Sequence, residues 1–261
     1  MASPAVGIQI IIFGKRNETD LGGVLADCAR AGYYGIELLN HAKTHPVSEL
    51  RDWATQHKIA YTGLHVGFGD YVDDKKLEEN IQFVRDIGGK YLMCSGVADP
   101  KTARGYEQSA TMFNRVGAKI KSAGLVFCYH NHAWEFDDLG GGVQGMKILS
   151  EQTDSAVVKF NIDIFWVAVG KMDPIAFIRQ HAKRAGYYHF KDGRLPSVPG
   201  GPAEFTELGK GIVNLKGCLQ TAIELGGRDR APWIISEQDR TDGDAYTSIK
   251  ISRDYLKSIG V

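Results

Sequence analysis

Short runs of β-branched and aromatic residues alternate along this chain with longer stretches whose apolar residues recur every three or four positions. The first pattern suits strands buried on both faces, and the second suits amphipathic helices. Eight strand candidates can be counted: Gly7 to Phe13, Gly35 to Leu39, Ala60 to Val66, Tyr91 to Ser95, Leu125 to His130, Val157 to Asp163, Tyr187 to Phe190 and Trp233 to Glu237. Helices fall between and after them. Leu21 to Ala31 is followed by Gly32, which suits a left-handed C-cap. From Asp74 the spacing of Leu77, Ile81, Val84 and Ile87 marks one helical face. Asp173-Pro174 reads as an N-cap followed by a first-turn proline, while Ile212 to Leu225 and Ala245 to Ile259 supply the last two helices. Strands alternating with helices imply βα units around a parallel sheet. Eight such units in 261 residues predict an α/β fold, a single TIM (β/α)8 barrel spanning residues 1–261. The longest stretch read as structureless runs from Asp192 to Leu208. A loop of that length in a compact domain is usually functional, and it follows the seventh strand, on the active face of such a barrel.

Composition narrows the function classes. Hydrophobic residues make up 43% and charged residues 24%, as in an ordinary globular domain. Lys plus Arg balances Asp plus Glu at 31 each, so the basic excess of a sequence-independent nucleic-acid binder is absent. No apolar run approaches the ~20 residues that cross a bilayer, and the start, MASPAVGIQIIIFGKR, lacks the basic segment of a signal peptide. The expectation is a cytoplasmic protein with a small-molecule substrate, with homo-oligomerisation left open and neither nucleic acid nor membrane as partner. Cys28, Cys94, Cys128 and Cys218 form no CxxC pair and read as buried free thiols.

Candidate chemistry comes from polar residues where apolar ones are expected. The C-terminal ends of barrel strands form the active site in TIM barrels. Glu37, His65, His130 with His132, Asp163, His189 and Glu237 lie at or near the ends of the second, third, fifth, sixth, seventh and eighth strands. Singly, a strand histidine is more often a hydrogen-bonded core residue and a strand-end glutamate a solvated one. As a set they differ. Asp163, His189 and Glu237 occupy equivalent positions on three successive strands, and neighbouring strands lie roughly 5 Å apart. One imidazole and two carboxylates suit Mn²⁺, Mg²⁺, Co²⁺ or Zn²⁺. A fourth ligand from the fifth strand is either a histidine or Glu135.

The segments YHNHAWEF, NIDIFWVAVGKMDPIAFI, YYHFKDG and ISEQD, in that order, with GYYGIEL near the start and LGKGIVNLKG before the seventh helix, resemble the sugar phosphate isomerase/epimerase superfamily of xylose-isomerase-like TIM barrels. The resemblance covers nearly the whole chain. It implies one divalent metal held by Glu, Asp, His and Glu from four successive strands, with Asp163, His189 and Glu237 at three of those places. At the fifth strand the sequence departs, since His130 stands where epimerases of this group end in a metal-binding, proton-moving Glu. The His-Asn-His segment followed by Glu is similar to branches resembling inosose dehydratase and the keto-glycoside-cleaving lyases. That resemblance makes Glu135 the fourth ligand.

The expected chemistry is proton abstraction next to the carbonyl of a sugar or keto-sugar. The metal would stabilise the resulting enediolate. His132 or His130 is the candidate base. Glu237 stands beside them as a catalytic candidate in addition to its ligand role. Lys191 would hold an oxyanion or hydroxyl. Glu37, His65 and Trp134 would contact substrate, with Phe13 and Trp166 as further ring-stacking candidates, although packing is the commoner role for such aromatics. Returning the proton makes an isomerase or epimerase, which is the expectation; expelling a β-leaving group instead makes a dehydratase or lyase, the alternative. A DNA-repair endonuclease of the same fold needs more ligands and a basic face, and a binding protein that has lost catalysis would not need an intact ligand set.

Overall fold

The computed structural model of the chain describes residues 4–195, 197, 201–226 and 233–261. Ten strands form among them: β1 (Ala5–Gln9), β2 (Gly35–Leu39), β3 (Ala60–Gly67), β4 (Tyr91–Ser95), β5 (Val126–His130), β6 (Val158–Asp163), β7 (Ala185–Phe190), β8 (Asp192–Arg194), β9 (Glu204–Thr206) and β10 (Trp233–Ser236). Eight of them close into a barrel in the order β1-β10-β7-β6-β5-β4-β3-β2. Every pair in it is parallel. This is the TIM barrel that the alternating pattern predicts, and all eight predicted strands are present. The first ends earlier than its apolar run does. The Gln9 side chain accepts the Ile11 N–H at 2.7 Å, which turns Ile10–Phe13 into a 3-10 helix.

The helices are set by their caps and their apolar faces. Asp20, Asp73, Thr102, Asp173 and Asp244 each accept a backbone N–H from the first turn of the helix that follows. The longest helix, Ala103–Ser122, was not singled out by the pattern, yet Tyr106, Ala110, Phe113, Val116 and Ile120 form its buried stripe. Apolar residues divide between two shells. The larger fills the space between strands and helices. The smaller lies inside the barrel, where Met93, Cys128, Tyr187 and Ile235 pack together from β4, β5, β7 and β10. All four cysteines are buried and unpaired.

The stretch from Asp192 to Leu208 corrects the sequence reading, because it is not structureless. β8 and β9 pair antiparallel across it. Its organiser is the buried Asp192 carboxylate, which accepts N–H groups from Gly193, Gly209 and Gly211 at 3.0 Å and from Val213 at 3.1 Å. Pro196 and residues 198–200 of that stretch lie outside the described residues, as do residues 1–3 of the N-terminal segment scanned for a leader.

One close approach fixes the sheet beneath the mouth. β2 and β3 shift register between Ile36 and Glu37, so that Glu37 faces Gly63. A Cβ on Gly63 would lie 1.9 Å from the Tyr91 carbonyl oxygen. That atom belongs to backbone, which cannot swing aside as a side-chain tip can. Gly63→Ala is therefore expected to destabilise the protein by about 3 kcal/mol, the upper part of the overpacking range. Equilibrium urea unfolding checks this, and an unchanged midpoint would contradict the packing argument.

Candidate metal centre

Four strand ends bring their side chains together at the barrel mouth. His130 ends β5, Asp163 ends β6, His189 sits one residue before the end of β7, and Glu237 follows β10. The register accounts for the convergence. Asp163 lies opposite His189, and the Glu237 N–H donates to the Phe190 carbonyl at 3.0 Å. One ligand atom from each of the four lies within 4.8 Å of the others. None of the four is more than 4% exposed.

Local structure aims each donor. Asp163 caps the short helix Ile164–Val169, its Oδ1 accepting the Trp166 N–H at 2.9 Å. That leaves Oδ2 without a hydrogen-bond partner. The Asn131 side chain clips β5 to β6, donating to the Asp163 carbonyl at 3.2 Å and accepting the Asp163 N–H at 3.0 Å. His130 has both ring nitrogens unpartnered. Its Nε2 stands 3.5 Å from Asp163 Oδ2 and 3.7 Å from Glu237 Oε2. Buried polar atoms nearly always find partners. A carboxylate oxygen and a ring nitrogen left open toward one point fit a cation, and two histidines with two carboxylates suit a divalent ion of the zinc, manganese or cobalt type.

Glu135, expected as the fourth ligand, lies outside this group. It sits in the 3-10 turn Trp134–Phe136, fully buried. Its Oε1 accepts from the Tyr129 hydroxyl at 2.5 Å and its Oε2 from the His132 N–H at 2.9 Å. Burial pushes its carboxyl up to about 7, against the pull of those hydrogen bonds. Glu135 therefore braces the loop carrying His132, and the fourth member of the group with metal-like spacing is His130. Glu37 is also placed differently from the substrate-contacting role expected of it. It is wholly buried, with Oε1 2.6 Å from His65 Nδ1 and Oε2 2.8 Å from His189 Nε2. Glu37, His65 and His189 form a second group with metal-like spacing.

A cavity of about 380 Å³ opens above the four residues, lined among others by His65, Ser95, His130, His132, Lys191 and Glu237. His132 stacks on Trp134 with ring centroids 4.0 Å apart and has an unpartnered Nδ1. Trp166 stands over the Lys191 ammonium at 5.3 Å, whereas Phe13 is buried in the outer core. Lys191 is 1% exposed. Its Nζ lies 3.0 Å from Glu237 Oε2, 3.5 Å from Asp163 Oδ2 and 2.6 Å from Asp239 Oδ1. Asp239, Ser95 and Asn131 were missed in the sequence. Only proximity to a predicted site residue marked them, because polar residues beside a strand end are common.

The charges at the mouth are mutually dependent. Burial opposes the charged form of His189, but Glu37 and Glu237 on its two nitrogens outweigh it and raise the ring to about 10. Burial also opposes the Glu37 carboxylate, and His189 and His65 outweigh that, lowering it to about 2. Glu237 is likewise held well below the usual carboxylate range, because Lys191 and His189 overcome its burial. It stays ionised, the form that can ligate a cation or accept a proton. Lys191 stays an ammonium, since Glu237, Asp163 and Asp239 outweigh its desolvation. His132 goes the other way, as burial and then the His130 charge lower it well below the ordinary value, leaving a neutral ring.

The sequence profile described as "Xylose isomerase-like TIM barrel" matches residues 25–259. The chain belongs to this family. It is 27% identical to inosose dehydratase of Lacticaseibacillus casei over 268 aligned positions, covering 87% of this chain and 85% of that enzyme. Its fold resembles that of a sugar phosphate isomerase/epimerase from Parabacteroides distasonis, with a TM-score of 0.80, 20% identity and 98% of each chain covered. It also resembles the IolI protein, solved with a bound zinc atom, with a TM-score of 0.78 and 15% identity over 98% of this chain and 97% of that one. No helix among the described residues is long and apolar enough to cross a membrane.

The paired shifts predict how the metal-free protein responds to pH. The stability from Glu37, lowered from 4.5 to about 2, is present above 4.5 and lost as pH falls through 2. That from His189, raised from 6.5 to about 10, is complete below 6.5 and lost as pH rises through 10. The pair therefore contributes most between pH 4.5 and 6.5. Melting curves of chelator-treated protein should decline from pH 6.5 upward. A saturating divalent ion that displaces the His189 proton should flatten that alkaline decline. Identical alkaline limbs with and without the ion would count against His189 as a ligand.

Proposed function

We propose that this chain removes a proton next to the carbonyl of a keto-sugar or cyclic keto-polyol with the help of a divalent metal, and expels water from the neighbouring carbon. The observation that carries the reading is the convergence of buried, unpartnered Asp163 Oδ2 and His130 Nε2 with His189 and Glu237. Those four residues would hold the ion. When bound, it supplies Lewis acidity that stabilises the enediolate.

This chain's own groups supply the rest. His132 is neutral and has an open nitrogen at the cavity. It takes the proton from carbon, its ring plane held by Trp134 and its backbone by Glu135. Lys191 remains charged at the cavity wall and hydrogen-bonds the departing oxygen. The abstracted proton and the expelled hydroxide together make one water, so no net proton is consumed. His65 lines the cavity with both ring nitrogens engaged, by Glu37 and Ser95, and so shapes its wall. Water loss is favoured over epimerisation because β5 ends in His130. Epimerisation needs a proton carrier on each face of the carbon, and the carboxylate that serves this at the fifth strand of epimerases is replaced here by His130. The likeness to inosose dehydratase supports the same choice. Isomerase or epimerase chemistry, the first expectation from the sequence, becomes the second reading, supported by the fold shared with the Parabacteroides protein.

Two experiments test this. Asp163→Ala, His189→Ala, Glu237→Ala and His130→Ala should each lose bound metal, whereas Glu135→Gln should keep it; elemental analysis of the purified variants decides. Retention in all four alanine variants, or loss with Glu135→Gln alone, would overturn the ligand assignment. His132→Ala should keep its metal and lose turnover by about 10²-fold or more. Mass spectrometry of products from a panel of inososes and ketoses should show loss of one water. Products of unchanged mass and altered configuration would transfer the assignment to the epimerase reading.

A further inference from the structure

Beneath the four candidate ligands runs a chain of buried hydrogen bonds that the proposed reaction does not use. The Ser95 hydroxyl meets His65 Nε2, His65 Nδ1 meets Glu37 Oε1 at 2.6 Å, and Glu37 Oε2 meets His189 Nε2 at 2.8 Å. His189 Nδ1 then faces Glu237 Oε2 at 2.8 Å. These residues come from β4, β3, β2 and β7 and from the end of β10, so the chain crosses the barrel.

The donors can be assigned by elimination. An ionised carboxylate is an acceptor only. Both nitrogens that face Glu37 must therefore carry hydrogen. His65 is then the Nδ1–H tautomer, its Nε2 accepting from the Ser95 hydroxyl. His189 carries hydrogen on Nε2 toward Glu37 and, by the same rule, on Nδ1 toward the ionised Glu237 while no ion is bound; an ion at the mouth would take the place of the Nδ1 proton and leave Nε2–H on Glu37. Without Glu37 either tautomer of His189 is available, and its ring is free to tilt.

We infer that Glu37 is a positioning residue, which fixes the tautomer and plane of His189 so that Nδ1 is presented to the metal, and that the His65–Ser95 arm holds Glu37 in place. This rests on the metal reading above. Partners of this kind behind a metal-bound histidine are worth 10–100-fold in metal affinity. The alternative occupant of the same residues is a second ion, held by Glu37, His65 and His189. The hydrogen-bond distances favour the positioning role, because they already pair every facing atom.

Co²⁺ alone is the probe, titrated into chelator-treated full-length protein and followed by calorimetry and by its visible absorption. Wild type should bind one ion per chain. Glu37→Gln keeps the shape of the side chain and should retain that stoichiometry, weaken binding about 10–100-fold and change the absorption band. His65→Gln removes one anchor of Glu37 and no hydrogen bond of His189. It should weaken binding less, and it stands as the test if Glu37→Gln does not fold. In Zn²⁺-loaded, ¹⁵N-histidine-labelled wild type, His189 should appear as the Nε2–H tautomer. Equal affinity and an identical band in wild type and in whichever of the two variants folds would overturn the inference alone. Two ions per chain would overturn it in favour of the second site. No Co²⁺ binding by wild type would defeat the metal reading itself.

Discussion

Buried carboxylates at the mouth of a closed apolar barrel set the terms for everything around them. Glu37, Asp163 and Glu237 are each 4% exposed or less. A carboxylate taken out of water and left alone is costly enough that it would rather accept a proton. Here charge of the opposite sign is built in. Lys191 sits against Asp163, Glu237 and Asp239, and His189 bridges Glu37 and Glu237. The layer below, Met93, Cys128, Tyr187 and Ile235, keeps the barrel interior apolar. Low dielectric strengthens each of these pairs and raises the penalty for leaving any group unpaired. That is why Asp163 Oδ2 and the two ring nitrogens of His130 stand out: buried among charged groups, they have no hydrogen-bond partner.

The same constraint explains how the loops are used. Asp163 and Glu135 each satisfy backbone N–H groups, one at a helix start and one at the His132 loop, and those bonds decide which oxygens remain open. Asn131 is neither ligand nor base, yet it fixes β5 against β6 through two hydrogen bonds to Asp163 backbone. The precision of the site thus comes from side chains that bind main chain, set on strands whose register is fixed by the sheet.

The barrel was legible because its strands and helices differ in period, and because strand-end Asp163, His189 and Glu237 interrupt apolar runs where an apolar residue would be expected. What the sequence could not show was where a carboxylate points. Glu37 and Glu135 both read as available acids. Glu37 lies at a register shift that no periodicity announces, and it turns into the barrel. Glu135 is carried back toward Tyr129 by a single 3-10 turn. Asp192 was read only as the start of a long loop, because a carboxylate that gathers four backbone donors from up to 21 residues away leaves no local pattern. The GxG at Gly209 and Gly211 gains its meaning from that same carboxylate.

Asp192 directly follows Lys191. The residue that organises the excursion after β7 is therefore joined by one peptide bond to the ammonium at the mouth. The anchor closes the base of the excursion, at Gly193, Gly209, Gly211 and Val213. Both ends of the excursion are thus tied through one carboxylate to the residue beside Lys191. The exposed Arg194–Glu204 ion pair is separated from the ammonium by that anchor, so the outer surface of the hairpin can vary while Lys191 keeps its place.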